Sequence, residues 1–298
     1  MSITTINGVT AGNISLLNGI SYTLVSTYNG VVSSSTPAPP PATASFVTGG
    51  LVAYWDPTNS GSRTTKVIGG ITYSCSLDLT NLYTASNPIV TRSFFLFSGA
   101  TFTTFNSGGV NQTVYYVDGA GGDHLMSRND VTGPLTASNS DPMKISTMLN
   151  FTNEFWFRSS GSYITDGALY SAVYNQGSRT RTSDTTGTHW AYAPNVIAGG
   201  NLGGTFATNT WHHYVVTMAN LDATNDRLRI YKDGVQVGVD TTGNYAPTDT
   251  SALYIMGSWN GATELQRMFV GEVRRYDREL TAAEVLTNYS ASKAKYGK

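Results

Sequence analysis

Charge is what this sequence has least of. Only 12% of its 298 residues are Asp, Glu, Lys or Arg, and the signs nearly cancel at a net charge of −1; an average soluble protein carries roughly 25%. So neutral a chain offers no basic field to nucleic acid, whose affinity comes from neutralised phosphates, and no nucleic-acid partner is expected. Cysteine is almost absent. Cys75 alone rules out an intramolecular disulfide and a cysteine-cluster metal site. No stretch approaches the ~20 apolar residues of a membrane span, and the basic-then-apolar build of a signal peptide is missing, so no membrane partner is expected either. Hydroxyl groups take the place of charge: 41 Thr and 30 Ser, about a quarter of the chain. Such a surface relies on neutral hydrogen bonding or is covered by neighbours.

Residues 1–35 carry a repeat with a period of eleven. Ile3-Thr4-Thr5-Ile6-Asn7-Gly8-Val9 aligns without a gap on Ile14-Ser15-Leu16-Leu17-Asn18-Gly19-Ile20 and on Val25-Ser26-Thr27-Tyr28-Asn29-Gly30-Val31. Asn-Gly between β-formers is a strong hairpin signal, because both turn residues must accept positive φ. Three such units are too short to bury a core, so the arm is expected to lie on a partner chain or on copies of itself, with Asn7, Gly8, Asn18, Gly19, Asn29 and Gly30 as its assembly turns. Residues 36–46 continue a Ser/Pro-rich stretch that reads as a semi-rigid extended linker. Residues 47–298 form the body.

The body is strand-like nearly throughout. Aromatic and β-branched runs such as Phe94-Phe95-Leu96-Phe97 and Glu154-Phe155-Trp156-Phe157 recur between Gly, Asn, Asp and Ser clusters, the pattern of a sandwich. Asp233-Gly234 reads as a two-residue hairpin turn that pairs Tyr231 with Gln236, Ile230 with Val237, Arg229 with Gly238 and Leu228 with Val239. One helix is well signalled: Thr281 and Glu284 form a capping box, Leu280 and Val285 a hydrophobic staple, and Val285, Leu286 and Tyr289 an apolar stripe.

The ordered series Trp211-His212-His213-Tyr214-Val215-Val216-Thr217, Leu228-Arg229-Ile230-Tyr231-Lys232-Asp233-Gly234-Val235, Leu253-Tyr254-Ile255-Met256-Gly257 and Phe269-Val270-Gly271-Glu272-Val273-Arg274-Arg275-Tyr276 resembles the laminin-G-like, concanavalin A-like lectin/glucanase jelly roll. Gly50-Leu51-Val52-Ala53-Tyr54-Trp55-Asp56 and Asn153-Glu154-Phe155-Trp156-Phe157 resemble its first and middle strands. The resemblance spans roughly residues 48–290 and is strongest over 205–290. It implies an all-β fold: a two-sheet antiparallel jelly-roll sandwich of about six or seven strands per sheet, with one short C-terminal helix beside the small β-repeat arm. Members are mostly binding modules, and a minority are glycoside hydrolases. An opening Gly-Leu-Val with an Asp shortly after, behind Asn-Gly repeats, is similar to proteins of tailed-phage and other virus particles.

Glucanases of this fold set acids in a Glu-x-Asp-x-x-Glu pattern, and retaining enzymes need the two carboxyls about 5 Å apart. That pattern is missing, Glu154 stands alone in an aromatic strand, and no catalytic residue is assigned. His212 and His213 are adjacent on a strand, so they face opposite ways and cannot chelate one ion together; His124 and His189 are isolated. No cofactor is called for. The resemblance allows for calcium, which relatives hold in rim loops with carboxylates and carbonyls; here that would be through Asp118 and Asp123 or through Asp222 and Asp226, in segments that also read as ordinary turns. Cys75 reads as a packing residue, and Trp55, Trp156 and Trp211 as core. For carbohydrate, the aromatic platforms are Trp259 with Asn260, then Trp190 with Tyr192. The expectation is a non-enzymatic structural or adhesive component of a virus particle (capsid decoration, fibre or tail protein) at the virion surface. Its arm would bind other virion proteins or further copies, and its jelly roll would be free for host glycans. The alternatives are an extracellular carbohydrate-binding module of a secreted or cell-surface bacterial protein and a glycoside hydrolase.

Overall fold

In the computed structural model of the chain the described residues are 26–28, 31–33, 46–68, 70–80, 89–97, 99–107, 109–119, 124–129, 150–161, 168–171, 179–182, 189–192, 206–222, 225–243, 254–255 and 267–298. Two compact units divide the chain, Met1–Ser45 and Phe46–Lys298. In the first, β1 (Ser26–Tyr28) pairs antiparallel with β2 (Val31–Ser33), placing Tyr28 opposite Val31 and Ser26 opposite Ser33. That pairing brackets the third Asn-Gly in sequence. The assembly residues Asn7, Gly8, Asn18, Gly19, Asn29 and Gly30 themselves lie outside the described residues.

Among its described residues the second unit holds two eight-stranded antiparallel sheets. Across the first run β16 (Val235–Gly243), β15 (Asp226–Lys232), β14 (Trp211–Asn220), β10 (Phe151–Ser159), β18 (Met268–Tyr276), β8 (Val110–Val117) and β7 (Thr101–Ser107), and β3 (Leu51–Trp55) also pairs with β18. Across the second run β13 (His189–Tyr192), β12 (Arg179–Thr182), β11 (Ala168–Ser171), β17 (Tyr254–Ile255), β9 (His124–Asn129), β6 (Ile89–Phe97), β5 (Ile71–Asp78) and β4 (Arg63–Ile68). Each sheet therefore has one or two strands more than the resemblance implies.

The core lies between the sheets. Trp55, Tyr115, Phe155, Phe157, Tyr214 and Val270 from the first meet Phe94, Leu96 and Leu125 from the second. The first sheet is covered on its other face as well. There α1 (Ala282–Ser292) and the 3-10 turn Lys293–Tyr296 that follows pack Val285 against Tyr54, Val215, Tyr231 and Tyr276, and Tyr296 against Trp156 and Trp211. Burial on both faces explains why β10 and β14 show no alternation of apolar and polar residues, as strands covered on both sides do not.

The Asp233-Gly234 turn has positive φ at both residues, 50° and 82°, the type I′ geometry that suits strand twist. Tyr231 faces Gln236 and Ile230 faces Val237 as the turn dictates, but a bulge between Leu228 and Ile230 sets Leu228 opposite Thr241, not Val239. The capping box at Thr281 and Glu284 is present. The stripe departs from expectation: Val285 is buried but Leu286 is 49% exposed, and the inward residues further along are Asn288 and Ser292.

Candidate functional site

Three places in the domain bring chemistry-bearing groups together. The first is a buried charge network under α1. Register sets Glu154 of β10 opposite Arg274 of β18. The Arg274 guanidinium donates to Glu154 Oε1 and, 2.8 Å away, pairs with Glu272 Oε1. Glu154 Oε1 also meets His213 Nε2 at 3.0 Å, while Asn288 Nδ2 of the helix donates to Oε2. Glu272 Oε2 accepts from the Tyr54 hydroxyl at 3.1 Å and lies 3.5 Å from Lys295 Nζ, which pairs with Asp56 at 2.9 Å. So Glu154, alone in its own strand, is not alone in the fold. The sequence signal was Glu272-x-Arg274, two residues on one face of a strand.

Electrostatics fix the charge states here. Burial by itself would raise the Glu154 and Glu272 pKa values. For Glu154, Arg274 and His213 outweigh it and hold the carboxyl below the usual range; for Glu272, Arg274 and Lys295 bring it to about 2. Burial opposes the Lys295 charge, yet Glu272 and Asp56 raise its pKa. Glu154 and Glu272 are 1% and 3% exposed and spend their oxygens on protein donors. As placed, they anchor the C-terminal helix and offer no free acid–base pair to a substrate.

The histidines divide as the strand geometry requires. His213 joins this network, whereas His212 packs against Phe157 and Phe206 and contacts Ala207 O and Asp233. Asp233 is held to about 2 because His212 and the His213 amide outweigh its desolvation.

The second place is the β12–β13 edge. The outermost strand pair sets Trp190 opposite Arg181 and Tyr192 opposite Arg179. A continuous row of register partners runs from Tyr192 through Arg179, Ser171, Tyr254, Met126 and Phe95 to Cys75. The neighbouring row contains Leu125 and Leu96, which belong to the inter-sheet core. Tyr192 and Arg179, and by the same parity Trp190 and Arg181, are therefore at positions on the face away from that core. At the far end of the row Cys75 packs with Phe95 and Phe97.

The third place was not anticipated from sequence. On the outer face of the first sheet, register aligns Trp211, Arg158, Phe269 and Tyr116 across four strands. Arg158 Cζ sits 4.8 Å from the Phe105 ring centroid and 5.8 Å from that of Phe269. Phe269 lies 4.9 Å from both Phe105 and Tyr116. Phe105, Tyr116, Arg158 and Phe269 are all half-buried. Alternation in Phe155-Trp156-Phe157-Arg158 could have put Arg158 on the Trp156 face, but its ring partners come from strands distant in sequence.

Of the other site candidates, Trp259, Asn260 and Asp123 lie outside the described residues. Asp222 accepts from the backbone and side-chain amides of Asn225 at 2.9 and 3.0 Å, and Asp226 from Asn220 at 2.8 Å. The Asp118 carbonyl holds Arg267 at 2.9 Å. Among the described residues no three His, Cys, Asp or Glu side chains are grouped to hold a metal ion, and no helix is long and apolar enough to cross a membrane. Trp55, Trp156 and Trp211 are buried.

The chain is similar to several solved structures. A mutant of Trypanosoma rangeli sialidase displaying trans-sialidase activity matches 85% of this chain and 35% of its own, at 16% identity and a TM-score of 0.51. The receptor-binding domain of botulinum neurotoxin type G matches 80% of this chain and 50% of its own, at 11% identity and a TM-score of 0.43. The chain thus corresponds to half or less of the length of either. No curated protein sequence matches it. The laminin-G-type family model of the concanavalin A-like lectin/glucanases superfamily matches residues 133–286. With just over half of its length in that match and a two-sheet antiparallel sandwich to go with it, the chain belongs to the concanavalin A-like lectin/glucanases superfamily.

Proposed function

We propose that this chain is a non-enzymatic display protein of a virus particle, whose Asn-Gly repeat arm docks on other virion proteins and whose lectin-like domain engages glycans on the host surface. The glycan part is carried by the register at β12–β13. Two aromatic residues at alternate positions of an edge strand, on the face away from the core and opposite two arginines, are the residue types that stack on a sugar ring and hydrogen-bond its substituents. The sealed, fully paired state of Glu154 and Glu272 supports binding over cleavage, since a glycosidase needs a carboxylic acid and a carboxylate open to the scissile bond. The assembly part is supported by the arm itself. Residues 1–62 contain one charged residue, Asp56, so the arm is a neutral surface suited to being covered by protein.

The test is a glycan array probed with the full chain, with Trp190→Ala and Trp259→Ala beside it. Saturable binding lost in either variant, with no release of reducing sugar, is the expected result. Failure of the full chain to bind any glycan would remove the lectin reading. Deleting residues 1–36 is expected to abolish incorporation into particles while the rest stays folded and soluble. Normal incorporation of the truncated chain would overturn the anchoring role.

A further inference from the structure

We propose that Arg158 and the rings around it form a second binding site, for a saccharide bearing a carboxylate or a sulfate. This rests on the reading of the domain as a glycan binder, but it places a ligand on the helix-covered sheet, away from β12–β13. Arg158 makes no ion pair and no side-chain hydrogen bond to any described residue, and Tyr116 leaves its hydroxyl equally unused. Other arginines of the domain are engaged: Arg227 and Arg229 with Glu279, Arg278 with Glu284, and Arg274 with Glu154 and Glu272.

The geometry gives the unpaired arginine a specific competence. Its guanidinium carbon lies over the Phe105 ring, with Phe269 at the outer limit of cation–π reach. A guanidinium placed by ring contacts and not by hydrogen bonds keeps its N–H donors free. Those donors match the two oxygens of a carboxylate or sulfate as a fork. With the side chain already resting on rings and half-buried, less rotamer entropy remains to be lost when an anion arrives. Tyr116, half-buried beside Phe269, supplies a ring face for the C–H surface of the sugar and a hydroxyl for one of its substituents. Trp211, 5.5 Å edge-on from Phe105, completes the floor, and its indole N–H has no acceptor among the described residues. A neutral sugar would use the rings alone, so the arginine sets the preference for acidic ones.

The experiment uses the full chain and paired probes: sialyllactose against lactose, a glucuronate-capped against a glucose-capped oligosaccharide, and a sulfated against an unsulfated galactoside. Arg158→Gln is expected to weaken the acidic member of a pair by about tenfold or more, the value of one charge-assisted hydrogen bond, and to leave the neutral member unchanged. Raising the salt should weaken acidic probes on the native chain and narrow its difference from the variant. The carboxylate and sulfate arms show which group is read. Tyr116→Ala, at a half-exposed ring, is a second variant expected to weaken both members, and melting curves check that each variant folds. Acidic probes that bind the native chain and Arg158→Gln equally would overturn this site while leaving the lectin reading intact; the loss would then appear in Trp190→Ala or Trp259→Ala. No binding to any probe would overturn both.

Discussion

Gly271 carries a hydrogen where any other residue would set a carbon 2.2 Å from the Tyr296 hydroxyl. That hydroxyl accepts the Glu272 amide at 2.8 Å, and Tyr296 stacks on Trp156 with centroids 4.3 Å apart. The site coincides with a bulge of β18 against β10 between Phe155 and Phe157, and a glycine inside a strand often marks such a close approach. Gly271→Ala must push the tyrosine off the strand; an overpacking loss of about 1–3 kcal/mol is expected, read by urea denaturation. Glu154 allows a sharper contrast. Glu154→Gln takes the carboxylate from His213 and leaves Arg274 with Glu272 alone; breaking a buried pair in this way costs about 3–5 kcal/mol. Asp240→Asn, at the exposed Arg229–Asp240 pair, is expected to cost less than about 1 kcal/mol. Equal effects in the two variants would show that the network under the helix is not electrostatically special.

Among elements, α1 is the one whose start was best written in the sequence. Thr281→Ala removes the hydroxyl that caps the Glu284 amide and should cost about 1 kcal/mol by the same measurement. Its inner face was harder to read, for a physical reason. Asn288 and Ser292 look solvent-facing, yet they point inward because Glu154 and the Trp156 indole N–H need partners there. Apolar periodicity cannot detect a face that is polar by demand, so Leu286 was put in the stripe in their place. The β15–β16 hairpin shows the same division. The Asp233-Gly234 pair fixed the register near the turn, where the geometry is local. The bulge that moves Leu228 onto Thr241 falls just beyond Val237, at Gly238, and a glycine inside a strand often marks such a place; the ideal two-residue-turn register passes over it. The Arg158 platform is the extreme case, since five strands contribute to it, from β7 to β18. Trp55, Trp156 and Trp211, in contrast, were legible as core because strand position and residue size agreed.

Over the whole molecule, the two-sheet sandwich followed from strand spacing and family-like motifs together, while carboxylates in the network beneath the helix, at the helix cap and at the Asp233-Gly234 turn govern how it responds to acid. Glu272 and Glu284 fall from 4.5 to about 2 and Asp233 from 3.8 to about 2 on folding. A group whose pKa is depressed in the folded state contributes stability above its unfolded value and loses it as pH falls through the folded value. The melting temperature is therefore expected to hold from pH 7 to about 5 and to fall between about pH 4.5 and 2. A melting temperature unchanged down to about pH 2.5 would mean that these carboxylates keep no such partners. One further consequence lies in the pairing of β3 with β18. The Tyr54 hydroxyl and its Glu272 acceptor are 218 positions apart, so loop-closure entropy is paid before that contact gives any return. On a ribosome β3 would emerge early and wait, its edge unclaimed, until β18 followed. Slow folding, and a need for protection of nascent chains against edge-to-edge association, come built into the connectivity of this sandwich.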